Sequence, residues 1–122
     1  TAADLDAKWD ELWDRCMPGI DYRNLQAHNA TGWPRKGHIF GAPFYYVEYG
    51  LAEMGALQVW RNALHNQAQA VADYRAALAL GGTRPLPALF QAANARFAFD
   101  RRTVGDLMQL IWRKLDELAP QN

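Results

Sequence analysis

Apolar residues along most of the chain recur every three or four positions, the period of a helix face, and no stretch alternates as a half-buried strand would. In the first segment, Leu5, Trp9, Leu12, Trp13 and Cys16 form one apolar stripe. Thr1 with Asp4 predicts a cap at its start, and Met17-Pro18-Gly19 predicts its end, giving a helix over residues 1–17. From residue 18 to 42 no period holds, and Asn24, Asn29, Gly32, Pro34, Gly37 and Gly41 punctuate the run. A long ordered loop is expected there, with room for a short turn of helix, and loops of that length usually serve a function or lie against something else.

Pro43 suits the first position of a helix, so a central helix is expected from 43 to 65. Three further helices are expected between 66 and 118. The first runs from Gln67 to about Leu80 and stops at Gly81-Gly82 in a left-handed turn. A short one follows near Pro87, closed by Asn94, and the last is capped by Thr103 and Asp106. Its buried face is expected to carry Val104, Leu107, Met108, Ile111, Leu115 and Leu118, with Arg113, Lys114, Asp116 and Glu117 toward water. The fold class is therefore all-α: about five helices in a single domain or part of one, around one buried helix.

The central helix differs from the others. Phe44, Val47, Leu51, Met54, Leu57, Val59, Trp60 and Leu64 go round the cylinder rather than along one stripe, which predicts burial on all sides. Gly50, Ala52, Gly55 and Ala56 keep it thin, at about 1 kcal/mol per glycine relative to alanine, so close approach of another backbone is expected to offset that loss. Tyr45 and Tyr49 are four apart, Tyr46 and Tyr49 three apart, and Glu53 extends the same face, with Glu48 lodged among the tyrosines. Two readings stand side by side. The tyrosine hydroxyls either bond neighbouring backbone inside a core or line the wall of an active site.

Composition narrows the classes. The chain has 122 residues, half of them hydrophobic, enough for one modest core. Thirteen acidic and thirteen basic residues balance, so no field favours nucleic acid or an anionic membrane surface. No apolar run approaches the ~20 residues of a membrane span. A charged, amphipathic start and one cysteine, Cys16, predict a cytoplasmic protein without an internal disulfide.

Self-contained chemistry is not evident. His28, His38 and His65 stand ten and twenty-seven apart, outside any His-Glu-x-x-His spacing, so no metal ligand set is expected in this chain. Cys16 lies in a helix stripe, Gly81-Gly82 lacks a phosphate-loop context, and Asn29-Ala30-Thr31 fits a glycosylation sequon without a secretory signal.

One long motif carries more information. "GWPRKGHIFGAPFYYVEYGLAEMGALQVW", followed by "LALGGTRPLPALFQAA" and the closing amphipathic segment, resembles the C-terminal end of the oligoendopeptidase F family, zinc peptidases of the wider thimet-oligopeptidase group. The resemblance covers nearly the whole chain, with residues 1–21 least distinctive. It implies a helical body around a deep channel, with zinc held by a His-Glu-x-x-His helix and a later glutamate, all preceding this region. What it assigns to this chain is the facing channel wall. His38 matches the family histidine, and Tyr46 and Tyr49 the tyrosine pair; the resemblance implies that Tyr49, as oxyanion donor, and His38 stabilise the transition state, and that Tyr46, with Tyr45 inside the motif, binds substrate. Such a donor bonds a developing oxyanion more strongly than a neutral carbonyl, and losing one costs about 10²–10³ in turnover.

The resemblance implies a C-terminal part that binds peptide substrate yet is inactive alone, its partner being the missing catalytic half and its zinc held by that half. A non-catalytic helical interaction module that keeps the family fold is the alternative. In either case the uncovered central helix and the Leu5–Trp9–Leu12–Trp13 stripe predict self-association, most simply a two-fold dimer, since apolar patches beyond a few hundred Å² are uncommon on monomers.

Overall fold

The computed structural model describes residues 1–119. The described residues are helical without strands: α1 (Ala2–Cys16), α2 (Gln26–Ala30), α3 (Gly37–Gly41), α4 (Val47–His65), α5 (Gln67–Ala79), α6 (Leu86–Ala92) and α7 (Arg101–Leu118), with single 3-10 turns at Trp33–Arg35 and Gly81–Thr83. The chain divides into two compact units, Thr1–Val47 and Glu48–Asn122. None of the described helices is long and apolar enough to cross a membrane.

In the first unit, α1 starts as its sequence predicts. The Thr1 hydroxyl accepts from the Asp4 N–H, and the Asp4 carboxylate accepts at the helix entrance in return. The face that α1 packs is rotated from the expected stripe. Leu5, Leu12 and Cys16 are exposed, whereas Asp6, Trp9, Asp10 and Trp13 are half-buried. The reason is polar pairing. The Trp33 indole N–H donates to Asp6 at 2.7 Å, Asn29 Nδ2 donates to Asp10 at 2.7 Å, and the Trp13 indole N–H donates to the Tyr22 hydroxyl at 2.8 Å. A buried donor left unpaired costs about 1–3 kcal/mol, so these bonds set the rotation of the helix.

The segment expected as a loop from 18 to 42 is thus partly helical, holding α2, the Trp33–Arg35 turn and α3. Gly32 is needed where it passes α1, because a Cβ there would sit 2.8 Å from the Trp9 indole nitrogen.

In the second unit, α5 and α6 begin and end near the expected places. Asn66 caps α5, and Gly81 and Asn94 adopt the left-handed conformations that close α5 and α6. The last helix starts earlier than expected, because Asp100 rather than Thr103 caps it, accepting from the N–H groups of Arg102 and Thr103 at 3.0 Å each. Its buried face is also shifted. Thr103, Leu107 and Leu110 are buried, whereas Met108, Leu115 and Leu118 are exposed.

The largest correction concerns α4. It begins at Val47, not at Pro43, and only Met54 and Gln58 along it are buried. The expectation of burial all round followed from composition. What is observed is one inward line one turn apart, with Ala52, Ala56 and Trp60 left exposed.

Candidate functional site

The motif from His38 to Tyr49 is divided between a short helix, a turn and the start of a long helix. His38 stands in the first turn of α3, whose end is closed by the Ala42 N–H donating to the His38 carbonyl at 3.1 Å. The chain then reverses. The Tyr45 N–H donates to the Ala42 carbonyl at 3.1 Å, with Pro43 second in the turn and Phe44 third at φ 66°. That is the pattern of a type II turn, whose third position ordinarily takes glycine or asparagine. A bulky residue in the left-handed region costs about 1–2 kcal/mol. Phe44 recovers none of that by burial, since it is 96% exposed.

The reversal carries two tyrosines back over the histidine. The Tyr45 ring stacks on the His38 imidazole, centroids 6.0 Å apart at 12°, and the Tyr46 ring meets it edge-on at 5.3 Å and 64°. Beside them, Trp33 and Phe40 pack at 5.8 Å. Imidazole and phenol groups are thereby gathered in one place, with both tyrosines 48% exposed and His38 half-buried. The cluster places hydrogen-bond donors beside flat apolar ring faces, a combination suited to a polar chain with apolar side groups.

Of the four residues singled out from the sequence, the structure brings His38, Tyr45 and Tyr46 together. The helical spacing argument does not hold for Tyr45 and Tyr46, which precede α4 and lie in the turn. Tyr49 belongs to the second unit, in the first turn of α4, and is 56% exposed. Tyr49 and Glu53, four apart within α4, do share a helix face.

Among the described residues no group of three or more His, Cys, Asp or Glu side chains could hold a metal ion. His28, His38 and His65 belong to α2, α3 and α4, respectively.

Two features escaped the sequence reading. Gln58, 1% exposed, reads the backbone of the segment after α6 from both sides: Nε2 donates to the Arg96 carbonyl at 2.9 Å, and Oε1 accepts from the Arg96 N–H at 2.8 Å. Its signal was present, a lone amide between Leu57 and Val59 in an otherwise apolar run. The other is an apolar groove of about 670 Å³ between α4, α5 and α6. Gly55, Ala56, Trp60, Tyr74, Leu78 and Phe90 are among the side chains that line it, and none of the lining residues is charged.

No protein-family model, curated protein or solved structure matches the chain.

Proposed function

We propose that this chain is the C-terminal, substrate-binding part of an oligoendopeptidase F-like zinc peptidase, acting from the cytoplasm on short peptides. The observation that supports the reading is the convergence of His38, Tyr45 and Tyr46 in a half-exposed ring cluster. In this reading Tyr46 and Tyr45 bind the peptide, and His38, against which both rings pack, helps stabilise the charged intermediate. The Tyr49 hydroxyl donates to the oxygen that gains charge as the carbonyl is attacked. A phenol O–H held at that position strengthens its bond as charge develops, and this is how it lowers the barrier. The metal, held by the catalytic half that the resemblance places upstream, supplies the activated water when bound. The chain alone is then inactive.

The test joins this chain to a His-Glu-x-x-His catalytic half and follows cleavage of a quenched peptide. Tyr49→Phe is expected to lower kcat by about 10²–10³ with zinc content unchanged, and His38→Ala to lower kcat and raise KM. Near-normal turnover in Tyr49→Phe would reduce that hydroxyl to a structural role. The alternative, a non-catalytic helical interaction module, is favoured by the open apolar groove on α4, α5 and α6. It gains if the joined protein cleaves nothing while the chain still binds a helical partner.

A further inference from the structure

The corner between α4 and α5 holds another, smaller cavity, of about 180 Å³. Asn62, His65, Asn66, Gln69, Asp73 and Asn94 line it together with the buried Ala70. Asn62, His65, Gln69 and Asp73 recur at three and four residues, and Asn66 alone separates the two helices, so the cavity gathers all four. Asn62 and Asp73 are half-buried.

The hydrogen bonds at this corner fix which atoms a ligand would meet. Asn62 Nδ2 donates to the Asn94 carbonyl at 2.8 Å, and Gln69 Nε2 donates to Asp73 Oδ1 at 2.7 Å. His65 Nδ1 lies 2.8 Å from the Arg61 carbonyl. Carbonyl and carboxylate oxygens only accept, so each amide turns its N–H to its partner and Nδ1 carries the imidazole proton. Asn62 Oδ1, Gln69 Oε1, Asp73 Oδ2 and, on the neutral ring, His65 Nε2 remain as acceptors. Asn66 Oδ1 is not among them, because it caps α5 by accepting from the Gln69 N–H at 3.1 Å.

Charge selects among the ligands such a lining could take. Asp73 brings a negative charge, and no lysine or arginine lines the cavity, which disfavours an anion. His65 and Asp73 fall short of a metal ligand set, since no group of three such side chains occurs among the described residues. Several acceptors around one carboxylate suit a cation rich in donors. A primary ammonium brings three N–H groups and one positive charge, and a short alkyl stem suits Ala70. A cavity of about 150 Å³ holds benzene, so this one has room for such a head and stem.

We propose that the α4–α5 corner binds a primary ammonium group, of a small alkylamine or of a lysine side chain, with Asp73 as its counter-charge and Asn62, His65 and Gln69 supplying acceptors. The inference concerns the second unit alone and is independent of the peptidase reading.

Titrating the isotope-labelled chain with n-butylammonium, followed by heteronuclear NMR, tests it. Saturable amide shifts confined to residues 62–73 and Asn94 are expected. Tetramethylammonium, equal in charge but without an N–H, is expected to cause none. Nα-acetyl-lysine amide is titrated in parallel, and the tighter of the two amines identifies the source. Asp73→Asn keeps an oxygen for Gln69 and is expected to weaken binding at least about tenfold. Gln69→Lys, at an exposed position, sets an ammonium four residues from Asp73 and is expected to abolish the titration by occupying the site from within. It serves also should Asp73→Asn prove unfolded by circular dichroism. Absence of saturable shifts overturns the proposal. So do equal shifts with tetramethylammonium, tighter saturation by magnesium ion, or shifts that survive both variants.

Discussion

Each of the two units is stabilised internally by a different kind of interaction. Among the described residues, the buried apolar ones, Met54, Ala70, Ala77, Ala93, Leu107 and Leu110, all belong to the second unit. In the first, the buried side chain is Asn29, and α1 is fixed by its bond to Asp10 together with the Trp33–Asp6 and Trp13–Tyr22 pairs. Aliphatic burial tolerates small rotations but not lost volume. Directional bonds tolerate lost volume but not a lost partner. The helical period located helices in both units, but on α1 hydrogen bonds, and not apolar spacing, decided which side faces inward. On α1 two aspartates take the inward positions that a hydrophobicity pattern would assign to leucines.

The difference can be probed by substitution. Leu107 is 0% exposed, and Leu107→Ala is expected to destabilise the chain by about 3 kcal/mol, as lost transfer energy adds to the cavity left behind. Urea unfolding followed by circular dichroism measures it. A loss under about 1 kcal/mol would mean that the site collapses around the gap.

Gln58→Leu keeps the volume and removes the amide, stranding the Arg96 N–H and carbonyl. A loss of about 2 kcal/mol is expected, together with faster hydrogen exchange at the Arg96 amide. If stability is unchanged, the second unit is governed by volume alone. In the first unit, Asp10→Ala strands the Asn29 amide and is expected to cost about 1 kcal/mol. Replacing Asp10 and Asn29 together by apolar residues should recover part of that loss, because no buried donor is then left unpaired.

The smallest effect expected is on pH. Hydrogen bonds from the Thr103 N–H, the Thr103 hydroxyl and the Arg102 N–H hold Asp100 below the usual carboxylate range. Its folded value lies below its unfolded one, so its contribution is full above the unfolded value and is lost as pH falls through the folded value. Asp4, beside the chain amino group and Thr1, and Asp21, beside Arg23, act in the same direction. All three are exposed, and solvent screening keeps the effect modest. Stability is expected to decline only below about pH 4, and Asp100→Asn, which keeps an accepting oxygen, should flatten that decline. A thermal-melt series from pH 2 to 7 reads both.

The sequence by itself determined the all-helical class, the caps at Thr1 and the left-handed closures at Gly81 and Asn94, because each depends on residues a few positions apart. It also singled out His38, Tyr45, Tyr46 and Tyr49, of which the first three are gathered in one ring cluster. Tertiary structure decided how they meet. Phe44 in a left-handed turn, a conformation no propensity assigns to phenylalanine, takes Tyr45 and Tyr46 off the helix and folds their rings onto the imidazole. It likewise decided which side of α1 faces inward and which two residues of α4 are buried. Those choices follow from hydrogen bonds to partners nine to thirty-eight residues away, most of them at a separation where a local pattern carries no signal.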